Sequence, residues 1–199
     1  MKGTNYYMRQ EVEIEYKNLL TETEYNKLKE IYFDRSSTHI TQNNYYFDTK
    51  DSHLKSAACA LRIRTKDGSA EMTLKTPFEG HHNETTLDLS IEKASELISA
   101  GYFSLPEDIH TVLIEQGVSF SANVFIVAQL KTERLEIKKP HSIIVLDKSY
   151  YSNEVDYELE VEADSISIGK NVFNTILKNN KIPKRATENK IARAFNATQ

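Results

Sequence analysis

The sequence has little of several residue types on which common folds and sites depend. Its 199 residues include one cysteine, Cys59, which excludes an internal disulfide and a cysteine-based zinc site and fits a reducing compartment. Six glycines and four prolines are too few for a linker, and no segment repeats at a fixed period. No run of about 18 apolar residues occurs, and the first residues turn acidic before any signal-like apolar stretch. We therefore expect a single domain over 1–199 that is cytoplasmic and neither membrane-spanning nor secreted.

Familiar catalytic motifs and a strong charge excess are also missing. There is no glycine-rich phosphate-binding loop and no serine nucleophile elbow. The 25 basic and 29 acidic residues give a net charge of −4, which argues against a general nucleic-acid-binding protein. With 39% hydrophobic residues, however, the chain can bury a sizeable core. The net charge hides a local segregation of charge, which is where the sequence becomes informative.

Helix signals occur at five places along the chain. Thr21 and Glu24 form a capping box for a helix that runs to about Phe33, and Ser90 opens a helix that Gly101 closes. Proline in the first turn predicts a third helix over 106–116, and apolar residues at helical spacing predict a fourth around 172–177. A capping residue, Thr187, predicts a last helix that runs to about Ala197.

Most of the remaining chain reads as β-strands. Eight segments are rich in β-branched or aromatic residues or alternate with a period of two: 9–17, 42–48, 60–66, 70–76, 83–89, 124–137, 142–150 and 155–163. Asp67-Gly68 is a strong two-residue hairpin signal, because both turn positions need a positive φ. A second hairpin is predicted around PFEGHH. Adjacent hairpins indicate an antiparallel sheet, and eight strands are enough to close into a barrel.

Charged residues in these strands are sorted by sign onto single faces. One face of the first strand carries Glu11, Glu13, Glu15 and Lys17, and one face of the eighth carries Glu158, Glu160 and Glu162. The third and fourth strands carry Arg62, Arg64 and Lys75, the sixth carries Arg134, and the seventh places Asp147 after an apolar run. A surface strand usually mixes both signs of charge, so this sorting calls for an explanation.

Two interpretations of the charged faces remain open from the pattern alone. They are the solvent side of an ordinary antiparallel sheet, or they line an enclosed barrel. Carboxylates on one face two residues apart lie roughly 7 Å from each other, where each pair repels by about 0.6 kcal/mol in water and about 2.4 kcal/mol at an effective dielectric constant of 20. Enclosed acidic strands would therefore hold divalent cations, and enclosed basic strands would hold a polyanion.

An ordered series of motifs resembles one known family. Glu13-Ile14-Glu15-Tyr16-Lys17 resembles the ExExK signature of the CYTH superfamily, the triphosphate tunnel metalloenzymes. Along almost the whole chain the order is EVEIEYK, NNYYFDT, ALRIRTKDG, MTLKTP, TERLE, VLDKSYY, YELEVE and TENKIARAF. This order looks most like the bacterial YjbK-like branch of the family.

The resemblance implies a fold and a set of site residues. The fold is α+β and mainly antiparallel, an eight-stranded closed β-barrel, or tunnel, with a charged interior and flanking helices. The implied ligands of Mg²⁺ or Mn²⁺ are Glu13, Glu15, Asp147, Glu158 and Glu160, and the implied triphosphate-binding residues are Lys17, Arg62, Arg64, Lys75, Arg134 and Lys190. Glu84 and Glu162 are further acidic candidates.

The implied function is metal-dependent hydrolysis of a small triphosphate, either inorganic triphosphate or an organic one such as thiamine triphosphate. Glu13, Glu15 and Lys17 are the catalytic candidates: a glutamate that orients metal-bound water comes first as proton acceptor, and Lys17 second. The alternatives are a class IV-type adenylyl cyclase and a non-catalytic module that binds polyphosphate or nucleotide. No nucleic-acid or membrane partner is expected, and a homodimer is left open.

Overall fold

The computed structural model of this chain describes residues 7–120 and 123–197. Segments in which apolar and polar residues alternate form the strands, and segments with an apolar stripe at helical spacing form the helices. Within those residues the strands are β1 (Met8–Glu13), β2 (Glu15–Leu20), β3 (Thr38–Asp48), β4 (Ala60–Lys66), β5 (Ser69–Phe78), β6 (His81–Leu89), β7 (Tyr102–Phe103), β8 (Val124–Lys139), β9 (Ser142–Tyr151) and β10 (Glu154–Ala163). The helices are α1 (Glu22–Tyr32), α2 (His53–Ser56), α3 (Ile91–Ala100), α4 (Glu107–Glu115), α5 (Ile166–Asn180) and α6 (Lys190–Asn196).

The strand count differs from the predicted eight for two reasons. The first predicted strand is divided at Ile14 into β1, which pairs with β6, and β2, which pairs with β10. The two-residue strand β7 is additional and pairs with β8. The short helix α2 was also not expected from the sequence. A change of pairing partner within one alternating segment leaves the alternation intact, so the sequence pattern does not reveal it.

The first of two compact units contains Met1–Val12 and Asn43–Gln129. Its strands follow the order β1-β6-β5-β4-β3-β8, with β4, β5 and β6 joined as antiparallel hairpins. The apolar face of these strands packs against α3 and α4, through Ala94, Ile109 and Leu113. Cys59 belongs to this core as a small buried side chain.

The second unit contains Glu13–Gln42 and Leu130–Gln199, so β3 and β8 contribute residues to both units. Its strands follow the order β3-β8-β9-β10-β2. The apolar face of this sheet packs against α1 through Leu28 and against α5 through Phe173. Helices therefore cover one face of the strands in this unit, and the charged residues occupy the other face.

Turns and helix ends follow local chemistry at most of the predicted positions. Asp67 and Gly68 have φ values of 43° and 77°, as the hairpin between β4 and β5 requires. In the capping box of α1, the Glu24 N–H donates to Thr21 Oγ1 (3.2 Å), and the Thr21 N–H donates to Glu24 Oε2 (2.8 Å). Helix α3 begins after Ser90 and ends at Gly101, as predicted.

The predicted cap of the last helix is wrong. Asn189, not Thr187, precedes α6 as its N-cap residue. The hydroxyl of Thr187 instead accepts a hydrogen bond from the Leu19 N–H of β2 at 3.0 Å. The chain from 181 to 189 is neither helix nor strand. A hydroxyl that could cap a helix is thus used by a tertiary contact.

The predicted class is confirmed: the fold is α+β, with mainly antiparallel strands and flanking helices. Closure of the strands into a complete barrel and the single-domain boundary of 1–199 stay predictions. Across the described ranges, no helix has both the length and the apolar character needed to cross a bilayer.

The close contact between α5 and β2 gives a test of this packing. A Cβ atom added to Gly169 would lie 2.8 Å from Tyr16 Cε2 and 3.2 Å from Ala163 Cβ. For Gly169→Ala, an overpacking cost of about 1–3 kcal/mol opposes a helix-propensity gain of about 1 kcal/mol, so we expect a net loss of stability by urea unfolding. Asn174→Ala, on the exposed side of the same helix, is the control and should not lose stability. Equal stability of the two variants would contradict this packing.

Candidate functional site

The charged face of the second unit is assembled by strand register. Arg134 lies opposite Asp147, and Asp147 lies opposite Glu158. Residues directly opposite each other in an antiparallel pair share a face of the sheet. Glu160 lies opposite Lys17 by the same rule, and Glu162 lies opposite Glu15. We call this set, together with Glu136 of β8, the acidic face: Glu15, Lys17, Arg134, Glu136, Asp147, Glu158, Glu160 and Glu162.

Arg134 joins two buried carboxylates of the acidic face. Its Nε donates to Asp147 Oδ1 (2.8 Å), and its Nη2 donates to Asp147 Oδ2 (2.6 Å) and Glu160 Oε2 (2.5 Å). The side chain of Asp147 is fully buried, and that of Glu160 is 5% exposed. A guanidinium matches carboxylates in this forked way because its donors are planar and fixed.

Two cations from α6 contact buried carboxylates of the acidic face. Lys190 Nζ lies 2.9 Å from both Asp147 Oδ2 and Glu158 Oε2, and it also contacts Glu160 Oε1. Arg193 donates from Nη1 to Asp156 Oδ2 (2.8 Å) and from Nη2 to Glu158. The two cations are three residues apart, so they project from one side of the helix.

These contacts shift pKa values in ways that report the local charge balance. Burial alone would lower the pKa of Lys190, but Asp147, Glu158 and Glu160 raise it well above its usual value. Burial would raise the pKa of Glu160, but Lys190 and Arg134 lower it well below the usual range. The pKa of Glu158 is raised, first by burial and then by Glu160, and its Oε1 has no hydrogen-bond partner among the described residues.

Two carboxylates of the acidic face, Glu15 and Glu162, form a group with Glu13 at the other end of the charged row of β10. Ligand atoms of Glu13, Glu15 and Glu162 all lie within 4.8 Å of one another. Burial, with further contributions from Glu160, Glu15 and Glu136, raises the pKa of Glu162 to about 7 even though Arg134 opposes the shift. Hard oxygen ligands grouped this closely suit a divalent cation such as Mg²⁺ or Mn²⁺.

Lys17 of the ExExK segment lies beside this carboxylate group. Its Nζ is 3.3 Å from Glu15 Oε1 and donates to Asn189 Oδ1 at 2.5 Å. In this structure Lys17 therefore contacts an acidic residue of its own strand and the residue that precedes α6.

A basic face in the first unit carries the other predicted phosphate-binding residues. Arg62 lies opposite Thr73, and Lys75 lies opposite both Ala60 and Glu84. The Lys75 ammonium contacts Glu84 Oε1 at 2.5 Å. Burial would raise the pKa of Glu84, but Lys75, Arg62 and Arg64 lower it. We call Arg62, Arg64 and Lys75 the basic face.

Arg62 is the least satisfied cation of the basic face. Its side chain is only 10% exposed, and its Nε has no hydrogen-bond partner among the described residues. Its ion pair with Glu71 Oε1 spans 3.9 Å, whereas Arg64 donates from Nε to Asn44 Oδ1 at 3.0 Å. A buried guanidinium with an unused donor is suited to an anionic ligand.

The structure divides the predicted site residues into three groups. Glu13 and Glu15 join Glu162, whereas the other three predicted metal ligands, Asp147, Glu158 and Glu160, contact Lys190 or Arg134. Two of the predicted phosphate-binding residues, Arg134 and Lys190, are thus engaged by carboxylates of the same unit. Arg62, Arg64 and Lys75 share the basic face of the first unit.

Sequence reasoning missed one cation that contacts the acidic face and underrated one carboxylate within it. Arg193 was not assigned a role, although it follows Lys190 by three residues in a predicted helix, which is the signal that could have found it. Glu162 was only a further candidate, because three glutamates at alternate positions of one strand look equivalent in sequence. Register and partners distinguish them.

Comparison with known proteins gives matches over nearly the whole chain. A family model described as the CYTH domain matches residues 11–195. A Bacillus subtilis (strain 168) protein described as "Putative triphosphatase YjbK" is 36% identical over 193 residues, which cover 94% of this chain and 96% of that protein.

Solved structures show the same fold. A "putative adenylate cyclase" from Bacillus halodurans has a TM-score of 0.83 and 33% identity, with 94% of this chain and 98% of that chain covered. The Hippeastrum protein HpAC1, described as having a dominant triphosphatase activity, has a TM-score of 0.72 and 22% identity, with 94% and 96% covered. The Hippeastrum likeness is one of fold alone.

The charge balance around Arg134 gives a pH-dependent prediction. Arg134→Met should cost about 3–5 kcal/mol of unfolding free energy at pH 7, because it leaves Asp147 and Glu160 buried without this partner. The depressed pKa of Glu160 means that its contribution exists above an unfolded-state pKa of about 4.3 and is lost as pH falls through the folded-state value. The stability difference between wild type and variant should therefore shrink as the pH is lowered from 7.

Chemical unfolding of the wild type and Arg134→Met, at pH 7 and at successively lower pH values, measures how the stability difference changes. Arg35→Met, at an exposed position without an ion pair among the described residues, is the matched control and should follow the wild-type curve. A stability difference for Arg134→Met that does not change with pH would contradict the assignment of ionised partners.

Proposed function

The chain belongs to the CYTH domain family, and from that premise we propose that it is a metal-dependent enzyme that hydrolyses small triphosphates. The motif-based resemblance to this family is confirmed by the family match and by the 36% identical relative. The name of that relative supports triphosphate hydrolysis as the reaction. The observation that carries the proposal is the buried guanidinium of Arg62, which has a donor without a partner on a face of basic side chains.

We propose that the basic face binds phosphate groups. Arg62 and Arg64 supply planar donors that match phosphate oxygens in pairs, and Lys75 supplies a compact positive charge. The Glu71 carboxylate lies 3.4 Å from Arg64 and 3.9 Å from Arg62, so it pairs with both arginines. A polyanion would complete the hydrogen bonding that Arg62 lacks.

The metal ligands that we propose are Glu13, Glu15 and Glu162. They fit a divalent cation because their oxygens lie close together and because burial and neighbouring carboxylates disfavour the ionised form of Glu162. When bound, Mg²⁺ or Mn²⁺ would supply positive charge that stabilises the charge developing on the reacting phosphate. Asp147, Glu158 and Glu160 are less suited to this role, since Lys190 and Arg134 already neutralise them.

A carboxylate of the Glu13, Glu15 and Glu162 group is the proton acceptor that we propose. Lys17 is the weaker candidate because its Nζ is already engaged by Glu15 and Asn189. Lys17 would instead hold Glu15 in place and add positive charge. The cytoplasmic location and the absence of a nucleic-acid partner also stay predictions. Whether the protein forms a homodimer stays open.

An adenylyl cyclase is the second candidate, favoured by the name of the 33% identical Bacillus halodurans relative. Cyclisation of ATP would yield cyclic AMP and pyrophosphate, whereas hydrolysis of a terminal phosphate would yield ADP and phosphate. Chromatography of the products formed from ATP and from inorganic triphosphate, each with Mg²⁺ or Mn²⁺, separates the two enzymes. A protein that binds inorganic triphosphate in calorimetry and forms no product would instead be a binding module.

Arg62→Met tests the proposed phosphate-binding role. Loss of a charge-assisted contact worth about 1.5–3 kcal/mol should raise KM for inorganic triphosphate by roughly 10- to 100-fold. Phosphate release measures this change, and Arg35→Met should keep the wild-type KM. Arg62→Lys should recover only part of the loss, because an ammonium lacks the planar fork. An unchanged KM in Arg62→Met would remove Arg62 from the binding site.

Glu15→Gln tests the proposed metal ligands. The substitution keeps the side-chain size and removes one charged oxygen ligand, so we expect Mn²⁺ affinity in calorimetry to fall by at least about 10-fold, together with phosphate release. Glu96→Gln, on the exposed surface of α3, is the matched control and should leave both quantities unchanged. Wild-type Mn²⁺ affinity in Glu15→Gln would mean that the metal is held elsewhere.

A further inference from the structure

The segment between α5 and α6, residues 181–189, lies along the edge of β2 that faces away from β10. We call this segment the strap. The Leu19 N–H donates to Thr187 Oγ1 (3.0 Å), and the Leu19 carbonyl accepts from Arg185 Nη1 (2.8 Å). The strap therefore satisfies backbone groups of a strand that ends the sheet of its unit.

Arg185 anchors the strap to two elements at once. Its guanidinium donates to both oxygens of Glu24, at 2.8 and 3.0 Å, in the first turn of α1. The same group contacts the Leu19 carbonyl, and the Arg185 N–H donates to Asn18 Oδ1 at 2.7 Å. Asn18 is fully buried and also donates to the Pro183 carbonyl at 3.2 Å. Arg185 is thus fixed by side-chain and backbone contacts together.

The strap leads directly into the cations of the acidic face. Asn189, its last residue, accepts from Lys17 Nζ, and Lys190 follows as the first residue of α6. Helix α6 has seven residues, too few for a helix that is stable alone. One side of α6 borders a groove of about 480 Å³ and is therefore not packed against other elements there. Because α6 is short and partly open on this side, its position depends on its ion pairs and on the strap.

Chain length shows why an anchor at Arg185 matters. Lys190 lies five residues beyond Arg185 but eight residues beyond Ile182, a buried residue of the core. The extended reach of these two tethers is about 17 Å and about 27 Å. A longer tether lowers the effective concentration of its end at a fixed site. Thr187 is a nearer anchor, but it contributes a single neutral hydrogen bond to Leu19, so release of the Arg185 guanidinium would still loosen the strap and lower the occupancy of Lys190 among its carboxylates.

We propose that Arg185 is a positioning residue, which through the strap holds Lys190 and Arg193 against Asp147, Glu158 and Glu160. The inference rests on the proposed function for its consequence: those carboxylates, if not neutralised, repel a polyanionic substrate. Weaker placement of the α6 cations raises KM for a triphosphate more than it changes kcat. Arg185 and Glu24 do not themselves contact the acidic face. Their effect on the position of Lys190 and Arg193 passes through the strap.

Hydrogen exchange of the full-length protein is the first test. Arg185→Met should increase exchange in residues 186–196 and leave β9 and β10 protected. Glu24→Gln should act in the same direction, because it removes the charge that Arg185 contacts while a glutamine can keep the capping box. Lys184→Met is the control: Lys184 is exposed in the strap and forms no ion pair among the described residues. Wild-type exchange of α6 in Arg185→Met would overturn the proposal.

A double-mutant cycle is the second test, with KM for inorganic triphosphate as its readout. Arg185→Met should raise KM by roughly 10-fold in the wild-type background and much less in Lys190→Gln, because its effect passes through Lys190. Arg185→Lys should recover part of the increase. Independent, multiplying effects of the two substitutions would reduce Arg185 to a purely structural role and contradict the proposal.

The two tests separate this inference from the proposed function. If the wild-type protein releases no phosphate from inorganic triphosphate, the proposed function fails, and hydrogen exchange still decides whether Arg185 positions α6. If the wild type is active and α6 exchanges at the same rate in all variants, the positioning role fails while the proposed function stands.

Discussion

Buried carboxylates of like charge must be matched by cations, and this constraint organises the second unit. Asp147, Glu158 and Glu160 have side chains no more than 5% exposed, at a depth where unpaired charges cost several kcal/mol each. Arg134 comes from a neighbouring strand, so the sheet itself supplies one cation. Lys190 comes from the last helix, so these three carboxylates have all their cationic partners only when the C-terminal part of the chain is in place.

This dependence explains why the segment before α6 contacts β2 so closely. Thr187 and Arg185 bond to the backbone of Leu19 instead of forming helix or strand structure of their own. Because Leu19 lies opposite Glu158 in the sheet, the same strand that borders the acidic residues also receives the strap. The edge of β2 is thereby covered, and the cations of α6 are placed by contacts made several residues before them.

Periodicity and capping chemistry predicted what local sequence determines. Alternation placed Glu158, Glu160 and Glu162 on one face of a strand, and Thr21 with Glu24 located the start of α1. Long-range pairing decided the rest. The division of the first strand at Ile14 depends on which strands lie beside it, and the use of Thr187 depends on a backbone group 168 residues away in sequence. A single sequence carries no signal for either, because both follow from the register of distant segments.

Glu160 and Glu162 of β10 show how partners, and not residue type, assign chemical roles. Glu160 lies between Lys190 and Arg134, which lower its pKa well below the usual range. Glu162, two residues further along the same face, has its pKa raised to about 7 by burial and by neighbouring carboxylates, although Arg134 lies 3.6 Å away and opposes the shift. One glutamate is therefore already neutralised by the protein, while the other gains most from an added cation. The position that we propose for the metal thus follows from where the protein places its own positive charges.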